Sequence, residues 1–161
     1  MDETNVNAVQ DDLTGRYLTF DIDDTTYSLP LNHVIEIIGI QHITHIPNVP
    51  HYIKGIINLR GKIVPISDVR LKFGLEERDY DDKTCIVIVL INDMNVGVIV
   101  DRVAEVVSLE RSNMAPPPLS DKRLGDSFLD SISTLNEKVV MNIDVVKFFQ
   151  ADMAELLAPE E

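Results

Sequence analysis

The feature that most constrains the fold is a pair of strand-like segments joined by a short polar turn. The first segment, TCIVIVLI at residues 84–91, is a continuous apolar run rich in β-branched residues, and its length suits a fully buried strand better than a helix. NDMN at residues 92–95 supplies turn chemistry, and VGVIVDRV at residues 96–103 returns as the pairing strand. Together these segments predict a buried hairpin.

Shorter strand patterns with close turns recur over most of the chain. Residues 17–22 alternate with the two-residue period of a half-buried strand. Asp23 and Asp24 make a turn into a second strand, in which Tyr27 and Leu29 face inward. Many short strands with close turns indicate an all-β barrel or sandwich. The remaining pieces of this pattern are a strand at Val106–Leu109 and a last hairpin that joins Phe128–Leu135 to Val139–Ile143.

Helical segments are predicted between some of these strands and at the end of the chain. Pro30 suits the first turn of a short helical segment in which Val34 and Ile37 lie one turn apart. Asp68 can cap a short helix that Gly74 ends. An apolar stripe with spacings of three and four residues predicts a C-terminal helix. Its members are Val146, Phe149, Met153 and Leu156.

A second hairpin is predicted within GIINLRGKIVPISDV, residues 55–69. Two β-rich apolar segments flank NLRGK at residues 58–62, an arrangement whose tip projects Arg60. Arginine is over-represented at interface hot spots because its flat guanidinium pairs bidentately with carboxylates and packs on apolar surface. The tip is therefore either an interface anchor or a solvated turn. Glu36, a single acid within the apolar stretch VIEIIGI at residues 34–40, is either part of a binding surface or a solvent-facing acid on a strand.

Charge argues against nucleic acid or an anionic membrane as the main ligand. The chain has 27 acids and 14 bases, whereas a phosphate backbone is bound mainly by neutralising it with Lys and Arg. Its longest uninterrupted apolar run, Cys85 to Ile91, is far short of the roughly 18 residues that span a bilayer. Residues 25–75 differ, because they carry five bases, two acids and all the histidines. This basic segment is either a face for an acidic protein partner or ordinary scattered charge.

No catalytic constellation is evident in the sequence. The glycines do not form a phosphate-binding loop, and Cys85 lies in an apolar strand, where a thiol is hard to ionise. His42 and His45 have a spacing that could hold zinc on a helix, but Pro47 favours extended backbone, in which they point to opposite faces. We predict that the four histidines are polar surface side chains. The alternative is that they form part of a metal site. With one cysteine and an acidic start that is not a secretory signal, we expect a soluble cytoplasmic protein without cofactor or metal.

Four segments, taken in order, carry a family resemblance. They are YLTFDIDDTTYSLPLNHVIEIIG at residues 17–39, HIPNVPHYIKGIINLRGKIVPISDVRLKFGL at 45–75, VGVIVDRVAEVVSL at 96–109 and KVVMNIDVVKFF at 138–149. The second closely resembles the signature region of the chemotaxis coupling proteins, the CheW family, and the others are similar to the strands around it. The resemblance covers nearly the whole chain from about residue 17 to 150.

This resemblance implies a mainly β fold, made of two small five-stranded SH3-like β-barrel lobes packed together, with short helices and a C-terminal helix. It divides the chain into a flexible acidic leader at residues 1–15, a CheW-like domain at 16–150 and an acidic tail at 151–161. It implies two partners, the regulatory domain of the chemotaxis histidine kinase and the cytoplasmic tip of chemoreceptors. The protein would be a non-enzymatic adaptor through which receptor conformation sets the rate of phosphotransfer.

The resemblance also assigns binding positions residue by residue. Gly97 and Val103 match a glycine and a valine that the family associates with a receptor groove between the lobes. The chain departs from the family at Ile38, where many relatives have arginine, and at Ser67, where many have an apolar residue. The positions linked to binding of kinase or receptor are Val34, Glu36, Gly55, Asn58, Arg60 and Gly61.

Other functions stay open at this point. The same module could serve a different receptor–kinase pathway, such as one for surface motility. A small barrel could also bind nucleic acid, although the net charge of −13 and the lack of tryptophan oppose that function. A metal-dependent enzyme built on the histidines is a third class, which stoichiometric zinc in the purified protein would indicate.

Overall fold

Short strands joined by tight turns make up most of the fold. The computed structural model describes residues 14–117 and 129–150, and within these ranges the chain forms eleven strands. The strands are β1 (Arg16–Ile22), β2 (Thr25–Pro30), β3 (Val34–Gly39), β4 (Ile53–Leu59), β5 (Lys62–Asp68), β6 (Cys85–Ile91), β7 (Met94–Val100), β8 (Arg102–Ser108), β9 (Met114–Ala115), β10 (Leu129–Leu135) and β11 (Lys138–Ile143).

The hairpins close through residues that accept a positive φ. Asn92 and Asp93 join β6 to β7 with φ of 49° and 65°, and Asn136 and Glu137 join β10 to β11 with φ of 53° and 66°. Two positive values in succession are typical of type I′ turns, whose twist matches that of the flanking strands. Both of these predicted hairpins are confirmed.

The helices are short. α1 (Val69–Lys72) begins after Asp68, whose Oδ1 accepts a hydrogen bond from the Leu71 N–H at 3.4 Å. Gly74, with φ of 80°, follows its end, so the predicted cap and terminator are both confirmed. α2 is described over residues 145–150, and 3₁₀ turns occupy Leu31–His33 and Arg111–Asn113. No helix in the described part of the chain has the length and apolar character needed to cross a membrane.

The strands divide into two lobes. Lobe 1 is a six-stranded sheet with the order β8-β1-β2-β11-β10-β9, and lobe 2 is a five-stranded sheet with the order β3-β6-β7-β5-β4. The chain begins in lobe 1, builds all of lobe 2 and returns to complete lobe 1. Antiparallel pairing of β1 with β8 and parallel pairing of β2 with β11 join the two parts of lobe 1, and parallel pairing of β5 with β7 joins the hairpins of lobe 2. The expected mainly β, two-lobed fold is confirmed, although the sheets are not closed barrels and the short β9 adds a sixth strand to lobe 1.

The largest hydrophobic core lies between the lobes. Both sheets and both helices contribute to this inter-lobe core, so the lobes share buried surface. Burying one such side chain contributes roughly 1.5–3 kcal/mol, which makes the shared core the main force that holds the lobes together. Its buried members are Leu18, Phe20, Ile22, Leu29, Val69, Val87, Val89, Ile91, Val96, Val98, Val100, Ile143, Val145, Phe148 and Phe149.

β6 is buried on both faces. Val87 and Val89 face the inter-lobe core, while Ile86 and Ile88 face a second cluster inside lobe 2 that includes Ile66. Because successive side chains of a strand point to opposite faces, a strand between two cores needs apolar residues at every position. This explains the continuous apolar run and confirms the predicted strand, which is buried over Ile86–Val89 and at Ile91, whereas Leu90 is 43% exposed.

Lobe 1 encloses a buried polar network on the face opposite the inter-lobe core. Asn142 Oδ1 accepts a hydrogen bond from Ser28 Oγ at 2.6 Å, and Asn142 Nδ2 donates to the hydroxyls of Ser131 and Ser133, each at 2.9 Å. All four residues are buried. The network therefore links β2, β10 and β11 and satisfies the buried amide.

The prediction of a helix over Val34 and Ile37 is wrong. Only Leu31–His33 after Pro30 forms a helical turn, and both residues lie in β3, which pairs with β6. The reason is that a stretch rich in β-branched isoleucine and valine gains more by extending the sheet than by forming a short exposed helix.

The C-terminal helix forms, but its apolar stripe is offset from the predicted one. Val145, Phe148 and Phe149 are buried in the inter-lobe core, whereas the predicted Val146 is 45% exposed. The sequence allows two apolar stripes on this helix with the same residue spacing. The stripe that buries both Phe148 and Phe149 removes more apolar surface from water. Met153 and Leu156 lie outside the described residues.

Candidate functional site

The β4–β5 hairpin ends in a two-residue turn formed by Arg60 and Gly61. Their φ angles are 51° and 86°, the positive pair typical of a type I′ turn. Asn58 precedes the turn, and its Oδ1 accepts a hydrogen bond from the Gly61 N–H at 2.8 Å. Glycine adopts this conformation without strain, whereas Arg60 is held in it by the hairpin. The predicted hairpin is confirmed, and Asn58, Arg60 and Gly61 lie together at its tip.

The Arg60 guanidinium forms an ion pair with Glu36. Arg60 Nη2 bonds to Glu36 Oε1, and Nη1 lies 3.4 Å from Oε2. This bond raises the pKa of Arg60 above its usual value. Glu36 lies on β3, at one edge of the lobe 2 sheet, and the hairpin that carries Arg60 forms the other edge. The ion pair therefore bridges the two edges of an open sheet.

Exposed isoleucines adjoin both members of this ion pair along the chain. Ile35 and Ile37 flank Glu36 in β3 and are 45% and 42% exposed, and Ile63 near the hairpin tip is 60% exposed. Ile37 points to the face of β3 opposite Glu36, so these isoleucines adjoin the ion pair along the chain without surrounding it. The sequence patterns did not reveal this apolar surface, because exposure depends on which strand edges the fold leaves open.

Val34 and Gly55 occupy positions that the fold itself constrains. Val34 is half-buried at the start of β3 and packs against the inter-lobe core. Gly55 is buried in β4 with φ of 146°, and a Cβ there would lie 2.0 Å from the Thr44 carbonyl oxygen. These positions lie in the same lobe as the ion pair but not in contact with it at the tip, and their roles in partner binding stay predictions.

Gly97 and Val103 are not brought together with the hairpin tip. Gly97 lies in β7, where a Cβ would approach Ile66 Cδ1 to 2.6 Å and the side chains of neighbouring isoleucines to about 3 Å. Val103 lies in β8 of lobe 1, half-buried against the inter-lobe core. The first residue faces the interior of lobe 2 and the second borders the junction of the lobes. Their assignment to a receptor groove stays a prediction.

His42, His45 and His51 lie on non-helical backbone, and His33 ends the 3₁₀ turn Leu31–His33. Thr44, between His42 and His45, forms a β-bridge with Ile56, which confirms extended backbone at that point. His42, His45 and His51 are exposed. Within residues 14–117 and 129–150, no group of three or more His, Cys, Asp and Glu side chains has the arrangement of a metal site. The Cys85 thiol is half-buried in β6 and donates to the Lys83 carbonyl oxygen at 3.2 Å.

A cluster of charged side chains lies at one end of the junction between the lobes. Arg70 Nη1 contacts Asp23 Oδ1 at 2.7 Å and Asp101 Oδ2 at 2.9 Å, and Arg78 reaches the same Asp101 oxygen at 3.3 Å. The hydrogen bond from Arg70 holds the pKa of Asp23 below its usual range. Because these residues are far apart in the chain, no local motif pointed to the cluster. One local sign of the cluster was available, because Arg70 is a charged residue between the apolar Val69 and Leu71.

The comparisons with known proteins agree on one family. The family model of the CheW-like domain matches residues 16–153. The chemotaxis protein CheW of Klebsiella aerogenes is 33% identical over 141 residues, which is 88% of this chain and 85% of that protein. Its counterpart in Helicobacter pylori is 30% identical over 139 residues, covering 85% of this chain and 82% of that protein.

A solved structure is also similar. The crystal structure of the scaffolding protein TtCheW from Thermoanaerobacter tengcongensis matches with a TM-score of 0.81 and 32% identity, covering 89% of this chain and 97% of that one. The two-lobed architecture, the hairpin with Arg60 at its tip and these likenesses lead to one conclusion. The chain belongs to the CheW family of chemotaxis proteins, which are scaffolds and not enzymes.

Proposed function

We propose that this protein is a cytoplasmic adaptor that couples chemoreceptors to the chemotaxis histidine kinase. In this proposal the β4–β5 hairpin and β3 bind the regulatory domain of the kinase, and a second surface binds the cytoplasmic tip of the receptors. The protein contributes interface area and geometry, so that receptor conformation sets the rate of phosphotransfer. Membership of a chemotaxis scaffold family supports the coupling role.

The single observation that carries the kinase interface is the exposed ion pair of Arg60 with Glu36, which joins the hairpin tip to an edge strand with exposed isoleucines. Arg60 is 70% exposed and Glu36 28% exposed. Exposed pairs contribute only about 0–1 kcal/mol, so a carboxylate on the kinase can replace Glu36 at little cost. The larger gain comes from burying the isoleucines, since a stable contact covers about 800 Å² on each partner. Arg60 would then fix the register of an interface that apolar burial stabilises.

Calorimetric titration with the kinase regulatory domain tests this interface. We expect Arg60→Glu to weaken binding at least about tenfold, because it places like charge beside Glu36 and removes the anchor. Lys62→Glu is the matched control: it makes the same charge change two residues away on the same hairpin and should weaken binding by less than about threefold. Each variant is first checked for wild-type unfolding in urea.

The outcomes separate the parts of the proposal. Equal weakening by both substitutions would mean that the hairpin only steers an oppositely charged partner. Binding that ignores Arg60 would retain the adaptor but place its interface elsewhere. Absence of binding to both the kinase domain and the receptor tip would contradict the proposed function.

We propose that Val103 and Gly97 serve the receptor side through the junction of the lobes. Val103 borders that junction directly. Gly97 would act through packing, because any side chain there would displace isoleucines inside lobe 2. We therefore expect Val103→Ala to weaken binding of a receptor-tip fragment while leaving kinase-domain binding unchanged. Weaker binding of both the receptor-tip fragment and the kinase domain would indicate a general structural effect of the substitution.

A further inference from the structure

The short helix α1 and the Phe73 that follows it connect the proposed kinase-binding hairpin to the rest of the molecule. α1 begins directly after β5, the second strand of that hairpin. Val69 is buried in the inter-lobe core, and Phe73 packs against it. Both side chains therefore join the segment that follows the hairpin to the core that the two lobes share.

Arg70 links α1 to lobe 1. Its Nη1 bonds to Asp23, in the turn between β1 and β2, and to Asp101, at the point where the chain passes from lobe 2 back to lobe 1. Asp101 Oδ2 also accepts a hydrogen bond from the Asp23 N–H at 2.8 Å, so Asp23, Arg70 and Asp101 all bond to one another. The Arg70 side chain is only 10% exposed, so water screens these bonds less than it screens surface pairs. A displacement of α1 is therefore passed to the β1–β2 turn.

Lys72 and Phe73 link α1 to α2. Lys72 Nζ bonds to the Phe148 carbonyl oxygen and lies 4.2 Å from the centroid of the Phe148 ring and 5.2 Å from that of Tyr52. The Phe73 ring lies 6.0 Å from the Phe148 ring in an edge-on arrangement and 5.0 Å from the Tyr27 ring of β2. Cation–π and edge-to-face contacts depend on direction as well as distance. The position of α2 is thus tied to that of α1.

The junction between β5 and α1 is stiff. Asp68 caps α1 and also accepts a hydrogen bond from the Tyr80 hydroxyl at 2.8 Å, while its own N–H donates to the Tyr52 carbonyl oxygen at 2.7 Å. Asp68 is almost fully buried. A buried side chain with several hydrogen-bond partners has few alternative positions. The hydrogen bonds of Asp68 therefore hold the end of β5 and the start of α1 together.

We propose that α1 with Phe73 is a transmission element, in which a change at the β4–β5 hairpin reaches the β1–β2 turn through Arg70 and α2 through Lys72. This inference rests on the proposed function, because it takes the hairpin as the surface where the kinase binds. Apolar packing between the lobes is non-directional. The polar contacts of α1, in contrast, depend on the relative orientation of the groups that they join.

Hydrogen–deuterium exchange of the full chain tests this element. The chain is measured free, with the kinase regulatory domain, and with a single-domain antibody selected against the hairpin tip at residues 58–63. In the wild type, either ligand should slow exchange about threefold in segments covering residues 20–27 and 144–150, away from the hairpin. Arg70→Met should reduce the ligand effect at 20–27 only, and Lys72→Met should reduce it at 144–150 only, because the ring contacts of Phe73 with Tyr27 and Phe148 remain in both variants.

Arg78→Met is the matched control, because Arg78 also contacts Asp101 but lies outside α1. It should leave both ligand effects in place. Arg70→Lys retains the charge and replaces Arg70→Met if the latter fails to fold. Bound ligand without slower exchange at either segment would overturn the proposal, as would a ligand effect that neither α1 substitution reduces. Failure of the kinase domain alone to bind, with the antibody still acting at a distance, would contradict the proposed function and leave the transmission element supported.

Discussion

At Gly55, backbone conformation and a close neighbouring segment both exclude a side chain. Thr44 and Ile56 exchange two backbone hydrogen bonds, at 2.8 and 2.9 Å, and these hold the Thr44 carbonyl against the glycine. This bridge holds the segment that contains Thr44 against β4 of lobe 2. A position that we predict to serve partner binding is thus also one that the fold requires to be glycine, and loss of binding by a Gly55 variant would not by itself indicate contact.

We expect Gly55→Ala to lower the free energy of unfolding by about 3 kcal/mol or more, because the added methyl meets main-chain atoms that cannot move aside. Urea unfolding monitored by circular dichroism measures the change. Gly39→Ala is the control: a Cβ at Gly39 meets nothing within 4 Å, and the expected change is within about 0.5 kcal/mol. Similar losses in the two variants would show that the strain argument is wrong.

Single residues differ in how far the sequence predicts them. The tip position of Arg60 follows from local turn chemistry, and the cap at Asp68 from the residues just after it. The partner of Arg60 could not be predicted in the same way, since Glu36 lies 24 residues away in the chain and meets it only after both sheet edges form. For the same reason Arg70 and Asp101 were missed. Contacts between distant segments leave no periodic signal.

At the scale of elements, lobe 1 depends on pairing between strands from opposite ends of the chain. Only three residue pairs form the parallel contact of β2 with β11, and one of them is Ser28 with Asn142. The buried amide of Asn142 meets its hydroxyl partners in this register alone, since a shift by one residue turns every side chain to the other face. The polar network therefore specifies the register of the β2–β11 pairing, which together with the β1–β8 pairing joins the two parts of lobe 1.

We expect Asn142→Ala to lower the free energy of unfolding by about 2–4 kcal/mol, because it leaves buried serine hydroxyls without their partner. Ser131→Ala is the graded control: it removes one of the three hydrogen bonds and should cost about 1 kcal/mol. Urea midpoints with unchanged slopes measure both effects. A loss for Asn142→Ala no greater than that for Ser131→Ala would contradict a specifying role for the network.

Element type was predictable where a pattern had one solution and not where it had two. The length and β-branched residues of the run at 84–91 favour a buried strand over a helix, and β6 has side chains buried on both faces. The stretch VVKFF near the end allowed two helical phases, and the choice depended on an inter-lobe core that the sequence did not reveal. Val34 and Ile37 fitted either a helical turn or a strand, and the free edge of β6 decided between them.

For the whole molecule, the family resemblance supplied what local patterns could not. Short strands and close turns indicated a barrel or sandwich, but the division into two lobes came from the resemblance. Neither source indicated that the lobes share their largest core or that the chain leaves lobe 1 and returns to it. These features follow from long-range packing. They join the two lobes through one core, as the proposed coupling of two partners in a fixed geometry requires.

The hydrogen bond between Arg70 and Asp23 makes the free energy of unfolding depend on pH. Arg70 holds the pKa of Asp23 below its usual value of 3.8. The folded state therefore binds the proton more weakly than the unfolded state, so this contribution is present above that pH and is lost as the pH falls below it. We expect the urea midpoint of the wild type to fall more steeply below about pH 4 than that of Asp23→Asn. Arg70→Met should flatten the dependence in the same way, and an unchanged slope in both variants would contradict the assignment.

Adaptor function requires one molecule of this protein to hold receptor and kinase at the same time. Analytical ultracentrifugation of a labelled receptor-tip fragment, with the kinase regulatory domain and with or without this protein, tests that requirement. We expect the label to sediment with the kinase domain only when the protein is present, and Arg60→Glu to remove the kinase domain while the receptor tip stays bound. Mutually exclusive binding of the two partners, or binding of only one, would contradict the adaptor function.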